Sequence, residues 1–294
     1  MKMANLKEGI NQVVIEGLLS ENKLEKRTTA DGRNYITGEM LIEVTKDNVV
    51  GVQFLSFEKK KDGGLNKVYA SLATIMTGYK SIAQVGRDAA DKVRVTSGQF
   101  DVNDFYAQDG RLVTYPRIKS NFINRVPGNA EFKPRAEFQV ETFIRSMINE
   151  VINEEESGRL ILKTFLVTYG GNVKPMDFIV EDEKGIKYIQ DNYKVASTAK
   201  LSGKIINTTI EKTTTEEQAF GDPIVTTKTS SKREYVVTKG TEAYDSDNAF
   251  DPGEVKAAMQ QREQYLVDLK AKQEARSAAK TTTTSAASGE FGDF

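Results

Sequence analysis

The first 127 residues interleave aromatic side chains with lysines and arginines, a combination suited to binding single-stranded nucleic acid. Aromatic rings offer flat faces on which bases stack, and cations neutralise the phosphates. Because a ring stacks on any base, such a surface binds without reading sequence. The residues predicted to contact DNA are Arg33, Tyr35, Phe57, Lys59, Lys60, Lys61, Arg94, Phe105, Tyr106, Arg111, Tyr115, Arg117 and Lys119.

Several aromatic and basic residues of this segment also have a structural interpretation. In an extended strand, Tyr115 and Arg117 share one face, which we predict to be the DNA face. Phe100 suits the core and the DNA face equally well, and Phe54 suits the core better because it lies in an apolar strand. The run Lys59–Lys61 is either a solvated loop or a phosphate contact.

Composition excludes many chemistries. The 294 residues include no cysteine and no histidine, so disulfides, thiolate metal sites and histidine-based catalysis are impossible. No acidic cluster has metal-ligand spacing, and Glu154–Glu156 is typical of a turn. We therefore expect no enzyme activity, cofactor or metal. The absence of an apolar run of signal-peptide or membrane-spanning length predicts a cytoplasmic protein without a membrane partner, in the host cytoplasm if phage-encoded.

Charge is unevenly distributed along the chain. The formal net charge is −1, with +4 over residues 1–127, −4 over 128–250 and −1 over 251–294. A basic front half favours a polyanionic partner, although +4 over this length is ordinary.

Residues 1–127 predict three strands, a helix and two strands. The strands are Asn11–Leu19, Ile36–Val44, Val49–Phe57, Asp91–Tyr106 and Arg111–Val126. Between the third and fourth, apolar residues recur at helical spacing and predict an amphipathic helix from Leu65 to Val85.

A comparable order repeats in residues 135–245, which is the most informative feature of the sequence. The fourth strand of each segment carries Ser-Gly at its middle, in VRVTSGQF and AKLSGKII. Residues 136–152 fit a helix as well as a strand, and the repeat favours the strand. A short helix is predicted within EKGIKYIQDNYK.

The C-terminal region has different patterns. Asp251-Pro252-Gly253-Glu254 combines an N-cap, a first-turn proline and a capping-box acid, and predicts a helix over residues 251–279. Its few large apolar residues suit either a solvated spacer or a partner-binding helix. Residues 280–294 are of low complexity and are predicted to be a disordered tail.

Five strands with a helix between the third and fourth is the strand order of an OB-fold barrel. The sequence therefore predicts a mainly β protein with two tandem OB-fold-like five-stranded barrels, then a C-terminal helix and a disordered tail. INQVVIEGLL resembles the opening strand of the bacterial and phage single-stranded DNA-binding proteins, and residues 93–126 resemble their last hairpin.

The resemblance implies sequence-independent single-stranded DNA binding in phage-type replication or recombination. It also implies that the tail presents a tip, Phe291, Asp293 and Phe294, to replication and recombination proteins. The tip departs from the bacterial pattern because it lacks proline and has few acids, and tryptophan is absent throughout. The second barrel is inferred by internal repetition, and its overall −4 suits structural support or dimerisation as well as DNA binding.

The main alternative is a β-rich structural or assembly protein of a virion with no DNA-binding role. DNA-independent higher-order assembly would favour it. The sequence leaves open the oligomeric state, a homo-oligomer included.

Overall fold

The computed structural model describes residues 6–107, 109–216 and 224–287, with the segments 209–216, 224–231 and 276–287 described by their backbone alone. The first half contains seven strands and two helices. They are β1 (Asn11–Asn22), β2 (Glu25–Thr28), β3 (Asn34–Thr45), β4 (Asn48–Phe57), α1 (Lys67–Gly78), α2 (Ile82–Val85), β5 (Lys92–Tyr106), β6 (Leu112–Lys119) and β7 (Asn124–Arg125).

Five of these strands close into a barrel. β1 pairs with β3 and β5, β3 with β4, and β5 with β6, all antiparallel, and a parallel β4–β6 contact closes the ring. The order β1-β3-β4-β6-β5 with helices between β4 and β5 is that of the OB fold. Alternate residues such as Ile36, Met40 and Ile42 fill the interior, as period two requires.

Two predicted elements of this first barrel differ in the structure. The helix predicted over Leu65–Val85 is broken into α1 and α2, because Tyr79 takes an extended conformation and Ser81 starts a new turn capped with Gln84. The predicted fifth strand, Arg111–Val126, ends as β6 at Lys119 and is followed by the short β7.

The second half repeats the barrel. Its elements are β8 (Arg135–Ile152), β9 (Glu155–Thr168), a 3-10 turn (Tyr169–Gly171), β10 (Asn172–Val180), α3 (Glu183–Asn192), β11 (Thr198–Glu216) and β12 (Ile224–Gly240). β8 pairs with β9 and β11, β9 with β10, β11 with β12, and β10 with β12 in parallel. The strand interpretation of residues 136–152 is therefore confirmed.

The opening strands of the two barrels pair with each other. β1 runs antiparallel to β8, with Val13 opposite Phe138. The Ser-Gly repeat has a steric reason in both barrels, because a Cβ on Gly98 would collide with Val13 and one on Gly203 with the Phe138 ring. Val13 and Phe138 thus hold equivalent places at the centre of an approximate two-fold arrangement.

A single apolar core extends through both barrels. Phe100 of β5 makes edge-on contacts with three rings of the second barrel, those of Phe138, Phe178 and Tyr235, at centroid distances of 5.5, 6.1 and 4.7 Å. Phe100 and Phe54 are both buried, so both are core residues.

A long helix, α4 (Pro252–Ala287), lies across both barrels and continues past the predicted end near residue 279. The Asp251 carboxylate accepts a hydrogen bond from the Glu254 N–H (2.8 Å), as the predicted N-cap requires. Val255 and Ala258 are buried against Phe165, Val167 and Val173 on the second barrel. Within the described residues, no helix is long and apolar enough to cross a membrane.

Candidate nucleic-acid interface

An aromatic pair lies on the outer surface of β3 and β4. Tyr35 and Phe57 are direct cross-strand partners, and their ring centroids are 5.5 Å apart. The Arg33 guanidinium lies 5.0 Å from the Phe57 ring centroid, and Arg27 faces Tyr35 from β2. We call Arg27, Arg33, Tyr35 and Phe57 the β3–β4 platform.

Period two forces this platform outward. The neighbours Ile36 and Ser56 are buried, so Tyr35 and Phe57 project from the opposite face of the sheet. Leu55, two residues before Phe57, is also outside and 55% exposed. Arg27 and Arg33 pair with Glu25 (2.5 Å) and Asp31 (2.8 Å), but these pairs are solvent-exposed and therefore weak.

A basic loop follows the platform directly. Lys59, Lys60 and Lys61 are all exposed, and no described carboxylate lies within ion-pair distance of any of them. The loop is closed by two backbone hydrogen bonds, from the Lys60 N–H to the Gly64 carbonyl and from the Gly63 N–H to the Lys60 carbonyl. The predicted run therefore places three free positive charges next to the Tyr35–Phe57 rings.

The β5–β6 hairpin carries a second aromatic cluster. Tyr115 is 49% exposed and Phe105 is 41% exposed. The Arg233 guanidinium of the second barrel lies 4.9 Å from the Tyr115 ring centroid. Arg111, at the hairpin turn, is exposed and lies 3.8 Å from the Asp109 carboxylate. Aromatic surface and positive charge therefore meet again at this hairpin.

Tyr115 and Arg117 lie on the outer face of the sheet, as the alternation of side chains along the strand predicts. The charge of Arg117, however, is partly neutralised. Its guanidinium binds the buried Asp101 carboxylate (2.8 Å), which Lys174 approaches at 3.3 Å. Burial raises the Asp101 pKa, but the Arg117 hydrogen bond and the Lys174 charge outweigh this and lower it overall. Lys119, on the same face, is exposed.

Arg94 is not available to DNA. Its guanidinium makes two 2.8 Å hydrogen bonds to the Glu16 carboxylate, which is 1% exposed, and a third to the Glu131 carbonyl. A buried carboxylate needs such a partner. Arg94 therefore holds β5 to β1, and we leave it out of the candidate interface.

Tyr106 is occupied by α4. Its hydroxyl donates to the Leu266 carbonyl (3.2 Å), its N–H donates to Gln273 Oε1 (3.2 Å), and Lys270 lies over its ring. The alternation of side chains along β5 could have indicated this, because Tyr106 lies on the same face of the strand as the buried Phe100, whereas Phe105 lies on the opposite face. Of the two hairpin aromatics, Phe105 is the exposed one.

The platform and the hairpin lie on one continuous outer surface. β4 and β6 are parallel, with Gln53 beside Lys119. Phe57 lies four residues beyond Gln53 and Tyr115 four before Lys119. At about 3.3 Å per residue the two rings are separated by roughly 26 Å along the strands, with Leu55 and Lys119 between them.

Sequence reasoning missed two cations, Arg145 and Lys163, on the outer face of the second barrel. Lys163 alternates with the buried Leu162 and Thr164, so the alternation of side chains along the strand could have placed it on the outer face of the barrel. The predicted tip, Phe291, Asp293 and Phe294, lies outside the described residues. In the described part of the chain, no group of three acidic side chains is placed to hold a metal ion.

Comparisons with known proteins place the sequence in one family. The sequence profile described as YorF matches residues 9–272, most of the chain. No curated protein matches the sequence.

Solved structures with partial similarity include two of the single-stranded DNA binding protein from Thermus aquaticus. The wild type has a TM-score of 0.47 and 11% identity, covering 81% of this chain and 95% of that one. A deletion mutant has 0.46 and 12%, covering 83% and 98%. A Replication Protein A heterotrimer bound to ssDNA has 0.24 and 10%, covering 88% and 70%. The strand order described above defines both barrels independently of these alignments.

Proposed function

The chain belongs to the YorF family, and we propose that it binds single-stranded DNA without sequence preference on the outer surface of its first barrel. The observation that carries the proposal is the outward-facing, half-buried Tyr35–Phe57 pair, flanked by Arg33 and by the free charges of Lys59–Lys61. Tyr35 and Phe57 lie on the second and third barrel strands, the face with which OB folds bind oligonucleotides, and Arg33 and Lys59–Lys61 lie in the loops beside them.

The chemistry of this surface favours single strands over duplexes. The outward-facing rings of Tyr35, Phe57 and Tyr115 need bases that are free to leave their stack, which a duplex does not offer. Lysine and arginine supply phosphate contacts that are independent of sequence. The strand would follow the outer surface from the β3–β4 platform to the β5–β6 hairpin.

The direct test is fluorescence anisotropy with labelled oligo-dT and the double variant Tyr35→Ala/Phe57→Ala. We expect its affinity to fall by about 1–3 kcal/mol for each ring that stacks a base. Tyr188→Ala, which removes a half-exposed ring from α3, is the matched control and should bind as the wild type does. Equal affinity in the double variant and the wild type would refute the platform assignment.

Salt dependence tests the basic loop separately. Replacing Lys59, Lys60 and Lys61 with Gln should lower the log–log slope of binding against salt by about 2, since each phosphate contact to a single strand contributes about 0.7. An unchanged slope would show that the loop is only solvated.

The proposal extends to a role in phage-type replication or recombination, without catalysis, in which the C-terminal tip recruits partner proteins. Its support is the sequence resemblance and the composition of Phe291, Asp293 and Phe294. An apolar ring beside a carboxylate suits a basic, apolar pocket. Deleting residues 289–294 should leave oligo-dT affinity intact and abolish binding to at least one replication or recombination protein of a tested panel. Loss of labelled oligonucleotide in magnesium would instead indicate an enzyme.

A further inference from the structure

A groove lies where the β5–β6 hairpin of the first barrel meets the outer face of the second. It has a volume of about 550 Å³ and is lined on one side by Thr114 and Pro116. The other side is formed by β8, β9, β10 and β12 and contributes Arg145, Lys163 and Tyr235. The exposed Tyr115, the far end of the proposed DNA surface, is at its rim, held against Arg233.

Three cations of the groove have no acidic partner. No described carboxylate lies within ion-pair distance of Arg145, Lys163 or Arg233, whereas Arg94, Arg117, Arg159 and Arg262 are all ion-paired. Arg145 stacks 4.4 Å from the Phe165 ring centroid, and Arg233 donates to the Pro116 carbonyl (3.0 Å). Their charges are therefore held in place without being neutralised.

Two carboxylates also line the groove, and one of them is already occupied. Glu234 accepts a hydrogen bond from Arg159 (2.6 Å) and lies 2.9 Å from the Lys232 ammonium, and neither Arg159 nor Lys232 lines the groove. Asp177 remains, and burial raises its pKa against the opposing charges of Lys163 and Arg145. The groove therefore has three cations and one carboxylate without an ion-pair partner, and its net charge is positive.

The Tyr235 hydroxyl is the second, independent sign of a ligand. Tyr235 is a lining residue of the groove and is 5% exposed, and its buried hydroxyl has no hydrogen-bond partner in the described part of the chain. A buried hydroxyl without a partner is costly. Burial raises the pKa of Tyr235 to about 12, so the hydroxyl keeps its proton at neutral pH and can donate to an anion.

We propose that this junction groove binds a phosphodiester of the bound DNA strand, so that the strand crosses from the first barrel to the second. The inference rests on the proposed function and adds the second barrel to the binding path. Tyr235 would donate to a phosphate oxygen, and Arg145, Lys163 and Arg233 would neutralise its charge. The adjoining Tyr115 ring would stack the neighbouring base.

The test compares two lengths of oligo-dT, because one OB fold covers about 4–16 nucleotides. An oligonucleotide of about 8 residues fits the first barrel alone, and one of about 30 reaches the groove. Tyr235→Phe removes only the hydroxyl and should not impair folding, since that hydroxyl has no partner to lose. We expect its affinity for the long oligonucleotide to fall about tenfold, with the short one unaffected.

A charge variant gives a second readout. Arg145→Gln/Lys163→Gln should lower the salt slope for the long oligonucleotide by about 1.4, two contacts at about 0.7 each. Lys187→Gln/Lys194→Gln, which removes two exposed charges elsewhere on the second barrel, is the matched control. Thermal melting of all variants checks that they are folded.

The outcomes separate the two proposals. If the wild type binds both the short and the long oligonucleotide, and Tyr235→Phe binds both with the same affinity as the wild type, the groove assignment is overturned and the proposed function stands. Equal weakening at both lengths would also overturn it, because the groove would then belong to the primary site. If the wild type bound neither oligonucleotide, the proposed function itself would fail.

Discussion

The two barrels share one strand order but use the outer face of their second and third strands in opposite ways. In the first barrel this face is open and presents Tyr35 and Phe57. In the second, the corresponding hairpin presents Phe165, Val167 and Val173, which the start of α4 covers. The strand order thus fixes the position of this outer face in both barrels. Whether the face can bind a ligand depends on its outward side chains and on whether a helix such as α4 covers them.

The opening strands show the same divergence at one pair of carboxylates. Glu16 of β1 binds Arg94 and accepts a hydrogen bond from the Lys133 N–H (3.0 Å). Its counterpart on β8, Glu141, accepts from the Ile10 N–H and the Tyr244 hydroxyl, both at 2.9 Å. An equivalent acid is therefore held by a cation in one barrel and by neutral donors in the other.

The largest effect is expected from Phe100→Ala, which tests whether such different barrels still fold as one unit. Phe100 is fully buried, and its ring partners all belong to the second barrel. Truncation should cost about 3–5 kcal/mol in the free energy of unfolding, measured by urea denaturation. Leu55→Ala, at an exposed site, should change it by less than about 0.5 kcal/mol. Amide exchange unchanged in β9 and β10 would show that the barrels unfold separately.

A smaller effect is expected from Arg262→Ala, which tests the asymmetric seating of α4. The helix contacts the second barrel through apolar residues but the first through polar ones, chiefly the 2.6 Å pair between Arg262 and the buried Asp104. Leaving Asp104 buried without its cation should cost about 3 kcal/mol. The Tyr106 amide, which donates to Gln273, should exchange faster, with Lys272→Ala as the control. Unchanged stability would mean that α4 is held by the second barrel alone.

The smallest effect concerns acid stability and is expected at Glu16. Burial raises the Glu16 pKa, but hydrogen bonds from Arg94 and the Lys133 N–H lower it overall, below 4.5. A depressed pKa stabilises the fold above 4.5, and this contribution is lost as pH falls through the folded-state value. Glu16→Gln should therefore flatten the acid limb of melting temperature against pH. An acid limb unchanged by Glu16→Gln would contradict the role assigned to Arg94.

The sequence predicted the strands and helix ends that depend on residues close together in the chain. Period two and the Ser-Gly repeat gave the barrel strands, including residues 136–152, and the capping residues gave the start of α4. Contacts between distant segments escaped prediction, because Arg94 binds an acid 78 residues away and Tyr106 a helix 160 residues away. The alternation of side chains along each strand was enough to predict that Tyr35 and Tyr115 point outward. The helix that covers Tyr106 and the carboxylates that pair with Arg94 and Arg117 could not be predicted in this way.

The pairing of Val13 with Phe138 has a consequence for how the two halves diverged. Two identical subunits would place the same residue on both sides of such an axis, and a small or a large side chain would meet its own copy there. Within one polypeptide the two positions are free to differ, and here a valine faces a phenylalanine.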